Sequence, residues 1–160
     1  MSTAHQSLSA HEAHEMPNAG PYRFGIVVAE WNQAITEALA QGAISFLKDA
    51  GASEKNITRI DVPGSFELTA GASLLAQNNY DAIICLGCVI QGETKHFDFI
   101  CHSVSQGLTQ LTIKYNKPFI FGVLTPNTMQ QAEDRAGGKY GNKGVEAAAT
   151  ALKMAALFKK

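Results

Sequence analysis

Residues 81–96 read DAIICLGCVIQGETKH, an apolar run from Asp81 to Ile90 that breaks off into Gln91-Gly92-Glu93-Thr94-Lys95-His96. The amphipathic stretch HFDFICHSVSQGLTQLTIKY, residues 96–115, follows at once. An apolar run bounded by turn residues and followed by helical periodicity predicts a buried strand handing the chain to a helix. At such a junction unpaired amides and the positive end of the helix dipole face whatever lies beyond the strand. Thr94, Lys95 and His96 bring a hydroxyl, an ammonium and an imidazole to that point, which describes an anion site with a proton carrier beside it.

The same handover recurs along the chain. YRFGIVVA, from Tyr22, reads as a buried strand, and WNQAITEALAQGAISFLKDAG as a helix with Ile35, Ala38, Leu39, Gly42 and Phe46 on one face, capped by Asn32 and ended by Gly51. The strand ITRIDV (57–62), a Pro63-Gly64 corner and a helix SFELTAGASLLAQ come next. After residues 81–115, Pro118 opens the strand PFIFGVL, Thr125-Pro126-Asn127 starts a short helix through Arg135, and the loop GGKYGNKG leads to an Ala-rich helix, VEAAATALKMAALF. Strands alternating with helices at this spacing predict an α/β fold of βαβ units. The expected architecture is one three-layer domain, a four-stranded parallel sheet in the flavodoxin-like order 2-1-3-4 with helices on both faces. Its growth reverses between strands 1 and 3, so the ligand crevice belongs at their C-terminal ends, lined by Trp31 and residues 92–96.

Composition narrows the function classes. The 160 residues, 46% apolar, suffice for one sizeable core, and a net charge of -1 provides no basic field for nucleic acid or anionic lipid. No apolar run reaches membrane-spanning length and no leader pattern opens the chain, so a cytoplasmic protein is expected, with neither nucleic acid nor membrane as partner. Residues 1–21, with His5, His11 and His14 in no core pattern, read as an arm, flexible or pairing with a neighbouring subunit, ahead of a domain spanning 22–160. The three cysteines, Cys85, Cys88 and Cys101, form no disulfide framework. Cys85-Leu86-Gly87-Cys88 has the C-x-x-C spacing, but residues i and i+3 of a strand point to opposite faces, which argues against redox or metal chemistry.

At the strand ends, Trp31 reads either as a core or interface anchor or as a stacking platform for a flat ring. Glu67 is a first-turn carboxylate or an acceptor for ligand N–H groups. His96 is the candidate for proton transfer, and Thr94 with the turn amides the candidate for phosphate. Arg135 offers a guanidinium fork in a loop with four glycines and two lysines, without any Walker-type or dinucleotide fingerprint. Three rivals stand beside an enzyme using His96: a Cys88–His96 nucleophile pair as in a Cys88-dependent hydrolase, a non-catalytic flavin- or pyrimidine-binding module, and a purely structural shell protein with a vestigial pocket.

FGIVVAEWN, DVPGSFEL, DAIICLGCVIQGETKHFDFI, KPFIFGVLT and QAEDRAGGKYGNKGVEAA together resemble the lumazine synthase family over nearly everything from Arg23 to Leu157. The resemblance implies a transferase of riboflavin biosynthesis that condenses 5-amino-6-(D-ribitylamino)uracil with 3,4-dihydroxy-2-butanone 4-phosphate. The products would be 6,7-dimethyl-8-ribityllumazine, phosphate and water, with neither metal nor organic cofactor. It implies that Trp31 stacks on the pyrimidine, that Ser65, Phe66 and Glu67 bind the ribityl chain and nearby groups, and that Cys88, Val89 and Ile90 line the pyrimidine pocket through their backbone. Glu93, Thr94 and Arg135 would hold the phosphate, His96 would be the general acid/base, Phe121 would close the pyrimidine side and Lys143 would be a further polar group. It also implies a homopentamer whose site is shared between subunits, with Phe121, Arg135 and Lys143 coming from the neighbour. The compact GGKYGNKG loop points further, to an icosahedral capsid of sixty subunits.

Overall fold

The computed structural model describes residues 16–159, so His5, His11 and His14 and most of the expected arm lie outside the described residues. Four strands, β1 (Phe24–Ala29), β2 (Ile57–Val62), β3 (Ala82–Cys88) and β4 (Phe119–Leu124), form a parallel sheet in the order β2-β1-β3-β4. This is the predicted topology. Every residue of β1 and β3 is buried, because both strands are central and covered on both faces.

Alternate side chains feed two cores. On one face Phe24, Ile26, Val28, Ile84 and Leu86 pack beneath α1 (Gln33–Asp49) and α5 (Lys143–Phe158). On the other, Val27, Ala29, Ile83 and Val123 pack beneath α2 (Leu68–Ala76) and α3 (His96–Tyr115). The period of two decides the cysteines as expected: Cys85 belongs to the α2/α3 core and Cys88 to the α1/α5 core. No disulfide joins them.

Several details differ from the sequence reading. The buried side of α1 is Ile35, Thr36, Leu39, Ala40, Ala43 and Leu47, while Ala38, Gly42 and Phe46 are only half-buried, because α1 turns toward α5 as well as toward the sheet. The second helix opens as a 3-10 turn, Ser65–Glu67, before α2. α4 spans only Met129–Asp134 and starts where the Thr128 hydroxyl accepts the Gln131 N–H, three residues beyond Thr125. The GGKYGNKG loop contains a small antiparallel hairpin, β5 (Ala136–Gly138) with β6 (Gly141–Asn142), whose turn needs the left-handed backbone of Gly137 and Gly141.

The hairpin delivers Asn142 to the start of α5. Its side-chain oxygen accepts the N–H groups of Gly144 and Val145, and its amide donates to the Ala38 carbonyl of α1. A side chain at Gly144 would run into the Leu39 carbonyl, so glycine there sets the close α1–α5 crossing. Met16, Ala19 and Tyr22 pack against the α1/α5 core, and the Ala19 N–H donates to the Ala50 carbonyl. Among the described residues no helix is long and apolar enough to cross a membrane.

Candidate active site

Three loops meet at the C-terminal edge of the sheet. After β1, the N–H groups of Glu30 and Trp31 donate to the carbonyls of Val62 and Pro63, which ties the Trp31 loop to the end of β2. The Asn32 amide donates to the Cys88 carbonyl at 2.9 Å, tying the same loop to the end of β3. Asn32 was expected to cap α1 with its side chain; instead it adopts a left-handed conformation, φ 61°, and spends that side chain as a strut across the crevice. Asparagine tolerates this backbone, which a bulky residue does not.

Trp31, Ser65, Phe66, Glu67, Val89, Ile90, Glu93 and Thr94 lie on segments that follow β1, β2 or β3, while Cys88 ends β3 and His96 opens α3. Trp31 is 73% exposed and Phe66 55%, so neither ring is a core anchor of its own chain. The Ser65–Glu67 turn sits tightly on β3, since a side chain at Gly87 would collide with the Ser65 hydroxyl. That hydroxyl is enclosed and has no hydrogen-bond partner among the described residues. Val89 and Gln91 donate their N–H groups to the carbonyls of Leu124 and Pro126, which holds the end of β3 against β4.

His96 is the first residue of α3, exposed, with its N–H donating to the Thr94 hydroxyl at 3.4 Å. The imidazole therefore stands at a helix N-terminus beyond the strand, where the sequence put it. Lys95 lies 3.8 Å from Asp98 and is well exposed, consistent with a side chain that faces water. The thiols are unsuited to nucleophilic work. Burial pushes the Cys88 thiol up to about 11 and the Cys85 thiol higher still, so both are neutral at pH 7. Cys101 is also raised, by burial and by the charge of Asp98. Among the described residues no group of three His, Cys, Asp or Glu side chains is arranged to hold a metal ion.

Arg135 and Lys143 form a second cluster rather than joining the first. Arg135 follows α4, Lys143 opens α5, and both bind Glu146. Among the described residues, no hydrogen bond or ion pair links them to Trp31 or His96 within the chain. Phe121 is 37% exposed on β4, an edge strand, above a groove shared with Phe99, Cys101 and His102 of α3. Sequence reasoning missed Asn32 as a strut and Glu146 altogether. The one sequence signal for Glu146 is a carboxylate standing alone in the otherwise apolar window GVEAAATAL.

Comparison with known proteins decides the family. The profile of 6,7-dimethyl-8-ribityllumazine synthase matches residues 21–159. The chain belongs to the 6,7-dimethyl-8-ribityllumazine synthase family. A 6,7-dimethyl-8-ribityllumazine synthase of Cytophaga hutchinsonii is 59% identical over 157 residues, covering 98% of each chain. One of Parabacteroides distasonis is 56% identical over 96% of this chain and 97% of its own, and one of Porphyromonas gingivalis 55% identical over 98% of each. The C-terminal ends of β1 and β3, which the Trp31 loop and the segment leading to His96 follow, flank the topological switch point of this sheet, where open α/β sheets bind ligands.

Proposed function

We propose that this chain condenses 5-amino-6-(D-ribitylamino)uracil with 3,4-dihydroxy-2-butanone 4-phosphate to 6,7-dimethyl-8-ribityllumazine, releasing phosphate and water, in riboflavin biosynthesis. Family membership across residues 21–159 supports the reaction. The observation that carries the site is that an exposed indole, Trp31, follows β1 and an exposed imidazole, His96, opens the helix after β3, with Asn32 tying the ends of those two strands together.

Trp31 stacks on the pyrimidine, and the backbone of Cys88, Val89 and Ile90 lines the pocket. Ser65, Phe66 and Glu67 receive the ribityl chain. The backbone amides of Glu93 and Thr94 and the Thr94 hydroxyl meet the phosphate at the positive end of α3. The aromatic amine attacks the ketone to give a carbinolamine and then an imine; phosphate leaves and the ring closes. Each step moves a proton, and His96 gives and takes these protons, an effect worth about 100-fold to 10,000-fold. Holding the two reactants face to face supplies much of the remainder. Phosphate is both the binding handle and the leaving group, so a cation beside it helps in both roles.

Arg135, Lys143 and Phe121 complete the site from a neighbouring subunit of a homopentamer, with a sixty-subunit icosahedral shell as the larger assembly. Two features support this reading: among the described residues Arg135 and Lys143 form no hydrogen bond or ion pair with Trp31 or His96, and Phe99 and Ile113 of α3 are 72% and 78% exposed. Such rings and aliphatics on one side of a domain suit burial against a second copy. A cytoplasmic location accompanies this assignment.

The test mixes purified protein with both substrates and follows phosphate release together with the lumazine chromophore. Coupled appearance of the two is expected. Folded, assembled protein that binds the pyrimidine but releases no phosphate would contradict the assignment.

A further inference from the structure

Glu146 is the one buried charged side chain among the described residues, 4% exposed in the first turn of α5. Desolvating a carboxylate is costly unless cations and hydrogen bonds compensate. Here two cations do so. Arg135 Nη2 lies 3.1 Å and 3.2 Å from the two carboxylate oxygens, and Lys143 Nζ lies 3.1 Å from one of them. The other end of the guanidinium is held as well, since Nη1 donates to the Tyr140 carbonyl at 3.1 Å. Both cations keep an outer surface, with Arg135 30% and Lys143 22% exposed.

Two cations on one carboxylate leave a net positive charge at this corner. The fork of Arg135 is pinned on its inner side by Glu146 and at its Nη1 by the β5–β6 turn, so its rotamer is settled before any anion arrives. Pre-ordering of this kind removes a cost that binding would otherwise carry. It also holds the guanidinium plane, on which a two-point contact with phosphate depends.

We propose that Glu146 is a positioning residue for phosphate recognition: it fixes the Arg135 fork, and the Lys143 ammonium beside it, in the geometry that receives the phosphorylated substrate. This rests on the phosphate role given to Arg135 above. Glu146 itself touches neither substrate. The carboxylate acts through its charge and its two oxygens together, so an amide of the same shape is a poor substitute: its NH2 end would face a cation.

The experiment uses the assembled full chain and inorganic phosphate as the probe, titrated by 31P NMR, with Glu146→Gln, Glu146→Asp, Arg135→Gln and the double variant Glu146→Gln/Arg135→Gln. Loss of a charged hydrogen bond of this type predicts phosphate binding weakened about tenfold in Glu146→Gln. Partial recovery is expected in Glu146→Asp, and the double variant should bind no more weakly than Arg135→Gln alone. In turnover, Glu146→Gln should raise KM for the phosphorylated ketone and slow the step that releases phosphate, while KM for the pyrimidine changes much less. Three results would overturn the proposal: phosphate affinity in Glu146→Gln within about twofold of the unmodified protein, a loss that adds in full to that of Arg135→Gln, or no phosphate binding by the unmodified protein. Intact phosphate coupling in a protein that never forms the chromophore would instead sink the condensation reading and leave the role of Glu146 standing. Thermal midpoints separate this role from mere loss of fold, since Glu146→Asp keeps the charge where Glu146→Gln does not.

Discussion

At position 88 a thiol and at position 96 an imidazole compete for the reactive role, and their surroundings separate them. Cys88 is 1% exposed within the α1/α5 core and its thiol is held neutral by burial, whereas His96 stands in the open at the start of α3. A neutral buried thiol cannot serve as a nucleophile at pH 7 without a base at hand. His96→Ala should therefore lower the rate of chromophore formation by about 100-fold or more, and Cys88→Ser by no more than a few-fold. Steady-state assays of the two variants at saturating substrate decide it. The opposite ranking would restore the Cys–His mechanism. His96 and Trp31 were legible from the sequence because a strand end announces itself by where the apolar run stops. Asn32 and Glu146 were not, because their roles are set by partners on other segments: a carbonyl 56 positions along the chain and a guanidinium 11 positions back.

Elements show the same division between what local pattern decides and what contacts decide. β1 and β3 announce themselves as continuous apolar runs, since a central parallel strand has no polar face to show. The β5–β6 hairpin has no such signal; its strands are three and two residues long, and it takes shape from the positive φ of Gly137 and Gly141, the capping by Asn142 and the bonds of Tyr140 to Arg135 and Asp134. The buried stripe of α1 was misjudged for a related reason, because two surfaces claim that helix. α1 is also tied to the edge strand β2 by charge. Arg59 donates to both oxygens of Glu37 at 3.0 Å and 2.7 Å and to Asp61 at 2.8 Å, and these bonds, with one from Gln41, pull the Glu37 carboxyl down to about 2 while raising Arg59.

A carboxyl depressed in the folded chain below its unfolded value of about 4.3 stabilises the fold above that pH and loses the contribution as pH falls toward 2. Both partners are partly exposed, 29% and 40%, so water and salt screen the pair. Glu37→Gln should consequently lower stability at pH 7 by only about 0.5–1 kcal/mol and flatten the acid limb of the stability curve between about pH 4.3 and 2. Denaturant titrations at several pH values measure both. A variant whose acid limb is unchanged would assign that limb to other carboxylates.

For the whole molecule, the parallel sheet order follows from a pattern that the sequence displays: four strands alternating with helices, and connections too long for hairpins. Within one chain the proposed site residues fall into two groups. The indole lies on the loop leaving β1 and the imidazole at the start of α3 after β3, while the guanidinium is bound to Glu146 on α5. If the proposed homopentamer joins them across a subunit boundary, assembly is a condition of turnover. A site shared in this way has a consequence that a site within one chain lacks: two inactive variants, each missing a different half, can make an active pair.

The most direct measurement refolds His96→Ala and Arg135→Ala chains together in equal amounts and assays chromophore formation. Random assembly should give about a quarter of the interfaces both an intact His96 and an intact Arg135, so the mixture should recover about a quarter of the unmodified rate while neither variant alone is active. Activity in the mixture no greater than the mean of the two variants, with co-assembly verified by native mass measurement, would contradict the shared site.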